Sequence, residues 1–233
     1  MPIRAERPDP AAGGWTAATV PLDMERPATT PDRLLDAAAR LFAERGVDNV
    51  PLAEIVRAAG QRNTSAVHYH FGSRDEILRA VLARHVPAIA ERRQTLLEEA
   101  RARPDSDVRS AAEAVVRPIT EFAQGGWRQR AYLQIGSELS RTVERQSAGV
   151  RELMAQTAGQ AAWKVLRSRC TGVPADLWRQ RQQICIVFIG RAAADRARLL
   201  DGPDRRGILA DDRFVDNLVD MVIGAMTAPH LGG

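Results

Sequence analysis

The sequence predicts an all-α fold. An N-terminal three-helix helix-turn-helix head is joined by a long helix to a C-terminal helical bundle, about nine helices in total. Three observations carry this. Apolar residues recur at helical spacing from Thr30 almost to the end of the 233-residue chain. Capping and terminating residues sit where helices of ordinary length start and stop. Aromatic residues make up only 5% and strand-type runs are scarce, which argues against a β-sandwich or barrel. With 45% hydrophobic and 27% charged residues, the chain has the composition to bury a sizeable core.

Residues 1–28 hold several prolines, the pair Gly13-Gly14 and no sustained period, so they are expected to form a flexible arm. The arm is not basic: Arg4, Arg7 and Arg26 are offset by Glu6, Asp9, Asp23 and Glu25. The helical period begins at Thr30, read as an N-cap, with Pro31 at the first helical position and Asp32 in the first turn. Leu34, Leu35, Ala38, Leu41 and Phe42 form its buried stripe, and Gly46 ends it. A short helix over about 51–59 turns Leu52, Ile55, Val56 and Ala59 inward and stops at Gly60. The polar turn 61–64 leads to a third helix over about 65–70. Ser73-Arg74-Asp75-Glu76 is a capping box, so a new helix begins at Arg74 and runs to about residue 102. Pro87 lies inside it and is expected to kink or split it. Further helices are expected at about 106–124, 127–145, 148–170, 175–201 and 211–227. The resulting division is an arm (1–28), a head (29–76) and a helical body (77–233).

Several function classes are disfavoured. No run approaches the roughly eighteen apolar residues of a membrane helix, and no basic flank and apolar run mark a secretory leader. Cys170 and Cys185 cannot make a disulfide scaffold and read as small apolar fillers in a reducing cytoplasm. An enzyme is not expected, because no nucleophile–base pair or phosphate loop is visible. Glu98-Glu99 and Asp211-Asp212 are adjacent, so they diverge on a helix and make no acid–base dyad. His68 and His70 face apart, and with His85 they lack further ligands, so no metal or cofactor is expected. Global charge says little. It is +4, and its 33 cations are 32 arginines plus Lys164, a bias that fits a GC-rich coding sequence.

Local charge says more. From Thr30 to Arg79 seven arginines balance seven acids, yet no acid lies between Arg57 and Arg74. Arg57, Arg62 and Arg74 therefore gather positive charge where the second helix of a helix-turn-helix pair sits, as approach to DNA phosphates requires.

Thr30 to Leu82 resembles the DNA-binding head of the TetR-type transcriptional regulators. The matching residues are Leu35, Ala38, Leu41, Phe42, Glu44, Gly46, Leu52, Ile55, Ala59 and Gly60, then the run Tyr69-His70-Phe71-Gly72-Ser73-Arg74-Asp75-Glu76 with Leu78. The resemblance covers about a quarter of the chain. The spacing from Gly60 to Phe71 is one residue longer than the family's, so its phosphate-contacting tyrosine falls on His68 or on the neighbouring Tyr69. Arg74 stands where the family has a lysine. The implied DNA-binding set is Thr30, Arg57, Arg62, Asn63, Thr64, Ser65, His68, Tyr69 and Arg74.

The resemblance implies a cytoplasmic, ligand-responsive regulator. It would bind a palindromic operator as a homodimer and be released by a small apolar effector, with repression the family's commonest mode. Phe122, Trp127, Tyr132, Met154 and Trp163, with Gln134 and Glu138 as polar handles, are candidates to line the effector cavity. Ordinary core packing is an equal alternative for each. The two apolar terminal helices suggest a dimer interface through Ile184, Phe188, Ala192, Phe214, Leu218 and Val222. The rival readings are a small all-helical enzyme and a helical adaptor that has lost DNA binding.

Overall fold

The computed structural model describes residues 29–61, 71–203 and 206–229. Among them every regular element is helical: ten α-helices and three short 3-10 turns. The expected arm (1–28) and third helix (65–70) lie outside the described residues.

Helix α1 (Thr30–Arg45) is capped by Thr29, not by Thr30 as expected. The Thr29 hydroxyl accepts from the Asp32 amide at 3.3 Å, while the Asp32 carboxylate accepts from the Thr29 hydroxyl at 2.6 Å. Thr30 and Pro31 thus form the first turn, where missing or unpaired amides cost nothing. Gly46, at φ +86°, ends α1 in a conformation side chains avoid. A 3-10 turn (Val47–Asn49) leads to α2 (Leu52–Ala58). Helix α3 (Arg74–Ala83) starts at the expected Ser73–Glu76 capping box, with both reciprocal bonds formed.

The expected long helix to residue 102 is two helices. Helix α3 ends at Ala83, and α4 (Val86–Arg101) begins after His85. Pro87 is the physical reason. Its ring nitrogen has no hydrogen for the Ala83 carbonyl, and its ring would collide with that carbonyl in a continuous helix. Pro87 therefore stands at the second position of α4 and starts a helix instead of bending one.

The body continues with α5 (Val108–Thr120), a 3-10 turn (Glu121–Gln124) and α6 (Trp127–Arg141). After a further 3-10 turn (Val143–Arg145), the expected single helix over 148–170 is also two, α7 (Ala148–Ala155) and α8 (Gly159–Arg169). The break centres on Ala158, whose φ of +57° is left-handed. Gly159, directly after it, opens α8, so a glycine does stand at the break. Helices α9 (Ala175–Asp201) and α10 (Asp211–Thr227) complete the chain.

Head and body share a core. Leu34, Phe42 and Ile55 of the head belong to one buried cluster with Tyr132, Ile135 and Leu139 of α6 and Ala193 of α9. A second cluster joins α4, α5, α8, α9 and α10 through Leu97, Val116, Leu166, Ile189 and Val222. Cys170 and Cys185 are both buried free thiols, and burial pushes their thiol pKa up. No described helix is long and apolar enough to cross a membrane.

His85 fills the break between α3 and α4 and meets Phe122 and Tyr132 edge-on, with centroids 5.6 and 5.4 Å away. Burial, helped by the charges of Arg84 and Arg128, lowers its pKa to about 4. Its ordinary value is 6.5, so the unfolded chain takes up the proton first as pH falls. His85 thus supports full stability above pH 6.5 and progressively less between there and about pH 4. The effect is on the order of 2–3 kcal/mol. Urea midpoints recorded from pH 7.5 to 4.5 should fall less steeply in His85→Gln than in the parent. Equal slopes would show that His85 protonates freely in the fold.

Candidate nucleic-acid interface and effector cavity

The head is assembled by short polar links. Arg45 near the end of α1 pairs with Glu54 of α2 at 2.6 Å, and Asn49 donates to the Arg45 carbonyl at 2.8 Å. Arg74, the first residue of α3, donates to the Asp48 carbonyl at 3.0 Å and reaches the Asp48 carboxylate at 3.5 Å. It remains 42% exposed. An exposed pair of this length is weak, so a phosphate can take the guanidinium at little cost. Arg57 is exposed on α2, and Thr30 is half-buried in the first turn of α1. The other six residues of the expected DNA-binding set, Arg62, Asn63, Thr64, Ser65, His68 and Tyr69, lie outside the described residues.

The head is fastened to the body at three places. At the first, Asp36 of α1 accepts from Arg84 at 3.0 Å and from Arg128 of α6 at 2.6 Å. Burial alone would raise the Asp36 carboxyl, but Arg128 and then Arg84 outweigh it and hold the pKa below the ordinary range. The Trp127 ring lies beside them, with the guanidinium groups of Arg40 and Arg128 over it at 4.2 and 4.8 Å from its centroid. At the second, both carboxylate oxygens of Glu138 accept from the Val47 amide at 3.3 Å. At the third, the Ser147 hydroxyl that caps α7 lies 2.9 Å from the Asp75 carboxylate of α3.

These links correct the expected cavity set. Trp127 and Glu138 belong to the head–body junction, and Phe122 packs edge-on against Tyr132 at 5.7 Å. None of these three, nor Gln134, lines the body's cavity. That cavity, of about 410 Å³, does take Tyr132, Met154 and Trp163 in its wall. Composition could nominate bulky side chains, but only helix phase and packing decide which face each one turns to. Its mostly apolar lining includes Val115, Ile119, Leu133 and Ile189. Sequence reasoning missed Arg93, which also lines it and is only 4% exposed. A single arginine in an amphipathic helix gives no sign that it points inward.

The terminal helices require a second correction. Leu218 and Val222 are buried inside the protomer, at 2% and 0% exposure, and cannot form an outer face. Phe188, Ala192 and Phe214 are half-buried and pack on the second core. Of the six named residues Ile184 is open, at 62%. The other exposed large apolar residues of these two helices are Ile186, Val187 and Leu199 on α9 and Met221 on α10, at 38%, 36%, 53% and 49%.

With this geometry in view, comparison with known proteins is informative. Residues 34–81 match the family described as bacterial regulatory proteins, tetR family. The match is confined to the head, which is similar to that family. It is 43% identical over 54 residues to the HTH-type transcriptional regulator SrpR of Pseudomonas putida, a match spanning 23% of this chain and 25% of that protein. Beyond the head, the likeness to solved structures is one of fold, at low identity. AmtR of Mycobacterium smegmatis superposes with a TM-score of 0.55 at 19% identity, over 88% of this chain and 90% of its own. AibR, solved with isovaleryl coenzyme A and operator DNA, superposes with a TM-score of 0.51 at 15% identity, over 83% and 97%. At these identities the structural likenesses speak for the fold, while the sequence match identifies the tetR-type head.

The junction can be tested by stability. Asp36→Asn breaks two half-buried ion pairs and should cost about 1–3 kcal/mol. Glu138→Gln keeps a neutral acceptor for Val47 and should cost about 1 kcal/mol or less. Urea unfolding monitored by tryptophan fluorescence measures both. A larger loss in Glu138→Gln than in Asp36→Asn would reverse the ranking.

Proposed function

We propose that the protein is a ligand-responsive, DNA-binding transcriptional regulator. It would act as a homodimer on a palindromic operator, in the cytoplasm and without enzymatic activity. The observation that carries this reading is the tetR-family head on residues 34–81, fastened to a body that holds a cavity of about 410 Å³. The head supplies Arg57 and Arg74 as exposed cations for phosphates, and Arg62 with His68 or Tyr69 extends that set in the sequence. Asn63, Thr64 and Ser65 are the proposed readers of base edges, because phosphate contacts alone carry no sequence information. AibR, bound to both a coenzyme A thioester and operator DNA, shows one protein of this fold holding an effector and an operator together. The effector proposed here is small and largely apolar, and repression with effector-driven release is the proposed output.

Dimerisation is assigned to α9 and α10 through the exposed Ile184, Val187 and Met221. Two heads would then reach successive major grooves, about 34–36 Å apart. A change in that spacing weakens operator binding, and 1–3 kcal/mol of preference for one spacing shifts affinity about 5- to 150-fold. The break at Arg84-His85 and the direct packing of α1 on α6 both transmit such a change. This replaces the expectation of one continuous helix as the sole connection.

Three measurements test the reading. Gel-shift assays on the DNA upstream of the protein's own gene should show a specific complex. Arg74→Ala should weaken it for all sequences and flatten the salt dependence by about one unit. Intact affinity and slope would remove Arg74 from the interface. In light scattering, Ile184→Glu with Val187→Glu should give folded monomers, and an unchanged dimer would place the interface elsewhere. Pro87→Ala restores an amide at the α3–α4 break and should change effector-induced release while the fold stays intact. Identical operator affinities in the parent and Pro87→Ala, with and without saturating effector, would exclude that break from the coupling.

A further inference from the structure

Three arginines are buried among the described residues: Arg93, Arg169 and Arg196. Their surroundings differ. Arg196 pairs with the Asp211 carboxylate and also donates to the Leu209 carbonyl at 2.6 Å. Arg169 has four acceptors, the carbonyls of Ala100, Arg103 and Asp107 and the Ser110 hydroxyl. Arg93 has two. Its Nε donates to the Ala114 carbonyl at 3.2 Å and its Nη1 to the Thr157 carbonyl. Its Nη2 has no acceptor among the described residues, and no carboxylate there lies within ion-pair distance. Arg93 is also the buried arginine that lines the cavity.

A guanidinium held this way is an anion site. Burial lowers the Arg93 pKa, but only to about 10, so the group stays charged at neutral pH. Its two carbonyl bonds fix the plane of the fork, while the Nη2 edge is left for a ligand. Tyr132 is a polar companion on the same cavity wall. Its hydroxyl donates only to the Met154 sulfur at 3.9 Å, a weak bond readily exchanged for an oxygen acceptor. The rest of the wall is mostly apolar, with Ile119, Leu133, Trp163 and Ile189 among its residues, and it also includes Arg151 and the polar side chains of Ser137, Thr157 and Gln160. At about 30 Å³ for each water-sized group, 410 Å³ holds a ligand of about a dozen non-hydrogen atoms.

We infer that the effector is an amphiphilic monocarboxylate of about this size. Its carboxylate accepts from Arg93 Nη2 and the Tyr132 hydroxyl, and its hydrocarbon part lies along the apolar wall. This rests on the reading of the cavity as an effector site and narrows the ligand from an apolar molecule to an apolar acid. Arg93 also holds the Thr157 carbonyl beside left-handed Ala158, so the carboxylate would be sensed at the turn between α7 and α8.

The test uses the full chain without DNA, so its result is independent of operator binding. Isothermal titration compares decanoate and 4-phenylbutyrate with decan-1-ol and 4-phenylbutan-1-ol. The acids should bind about 10- to 100-fold more tightly than the alcohols, the range for hydrogen bonds to charged groups. Arg93→Gln should close that gap, and Arg93→Lys should keep part of it. Should Arg93→Gln fail to fold, the acid–alcohol comparison on the parent protein still decides. Equal binding of acids and alcohols, or no binding of either, would overturn the inference. So would binding of decanoyl coenzyme A without binding of decanoate. A protein that binds the acids but no DNA would instead overturn the regulator reading and leave the anion site standing.

Discussion

The junction at Asp36 is the contact on which the rest of this structure depends. One carboxylate in α1 receives guanidinium groups from two directions, Arg84 at the break after α3 and Arg128 at the start of α6. Arg84 also reaches Asp32 of α1 at 2.6 Å, and both Arg128 and Arg40 lie over the Trp127 ring. Such pairs contribute little at a surface, but here the acid is largely shielded and is bound twice. The same site carries apolar packing, since Leu34 and Phe42 share a core with Tyr132 and Ile135. The head is therefore not a bead on a helical string. Its orientation is set by the body through side chains that a change in α6 would have to carry along.

Helix α6 is a wall shared by two compartments. Arg128, Ile135 and Glu138 serve the head, while Leu133, Gly136, Ser137 and Ser140 line the cavity, and Tyr132 belongs to both the shared core and the cavity wall. A ligand in the cavity thus lies within one helix diameter of the head's anchoring groups, and no long relay is needed. The packed interior deforms in discrete rearrangements, so a small shift of α6 is passed to Asp36 and Val47 instead of being absorbed. The turn at Arg84-His85 supplies the compliance: His85 is a cap without a side-chain bond, and Pro87 removes the one amide that would tie the two helices together.

Much of the fold was legible because its signals are local. Ser73 and Glu76 announced α3, and the stripe of Leu34, Ala38 and Phe42 announced α1 and its buried face. What was not legible depended on distant neighbours. Thr29 and Thr30 are equally good caps by type, and backbone geometry chose Thr29. The left-handed residue at the α7–α8 break is Ala158 and not the neighbouring Gly159, and beside it the Thr157 carbonyl is taken by Arg93 from another helix. Glu138 and Trp127 looked like cavity residues by size and polarity, yet their α6 phase turns them to the head. Leu218 and Val222 looked like an outer apolar face, but that apolarity is consumed by the protomer's own second core.

Arg93 shows most clearly why composition fails at such a site. The chain has 32 arginines, and most face water or pair with an acid on a neighbouring helix. A guanidinium moved inside loses hydration worth several kcal/mol, so its donors must find acceptors. Arg169 meets that demand through carbonyls at a turn, and Arg196 meets most of it through an acid and a carbonyl, its Nε being left without a partner among the described residues. Arg93 meets only part of it, since its Nη2 has no acceptor among the described residues, and Arg93 lines the cavity. The cavity's character therefore comes largely from a buried charge whose compensation is incomplete, with Arg151 as a second cation in the lining and a mostly apolar wall around them. Neither feature alone selects a ligand, since the wall would accept any apolar molecule and the charge any anion. Held in one cavity, they demand both properties in the same molecule.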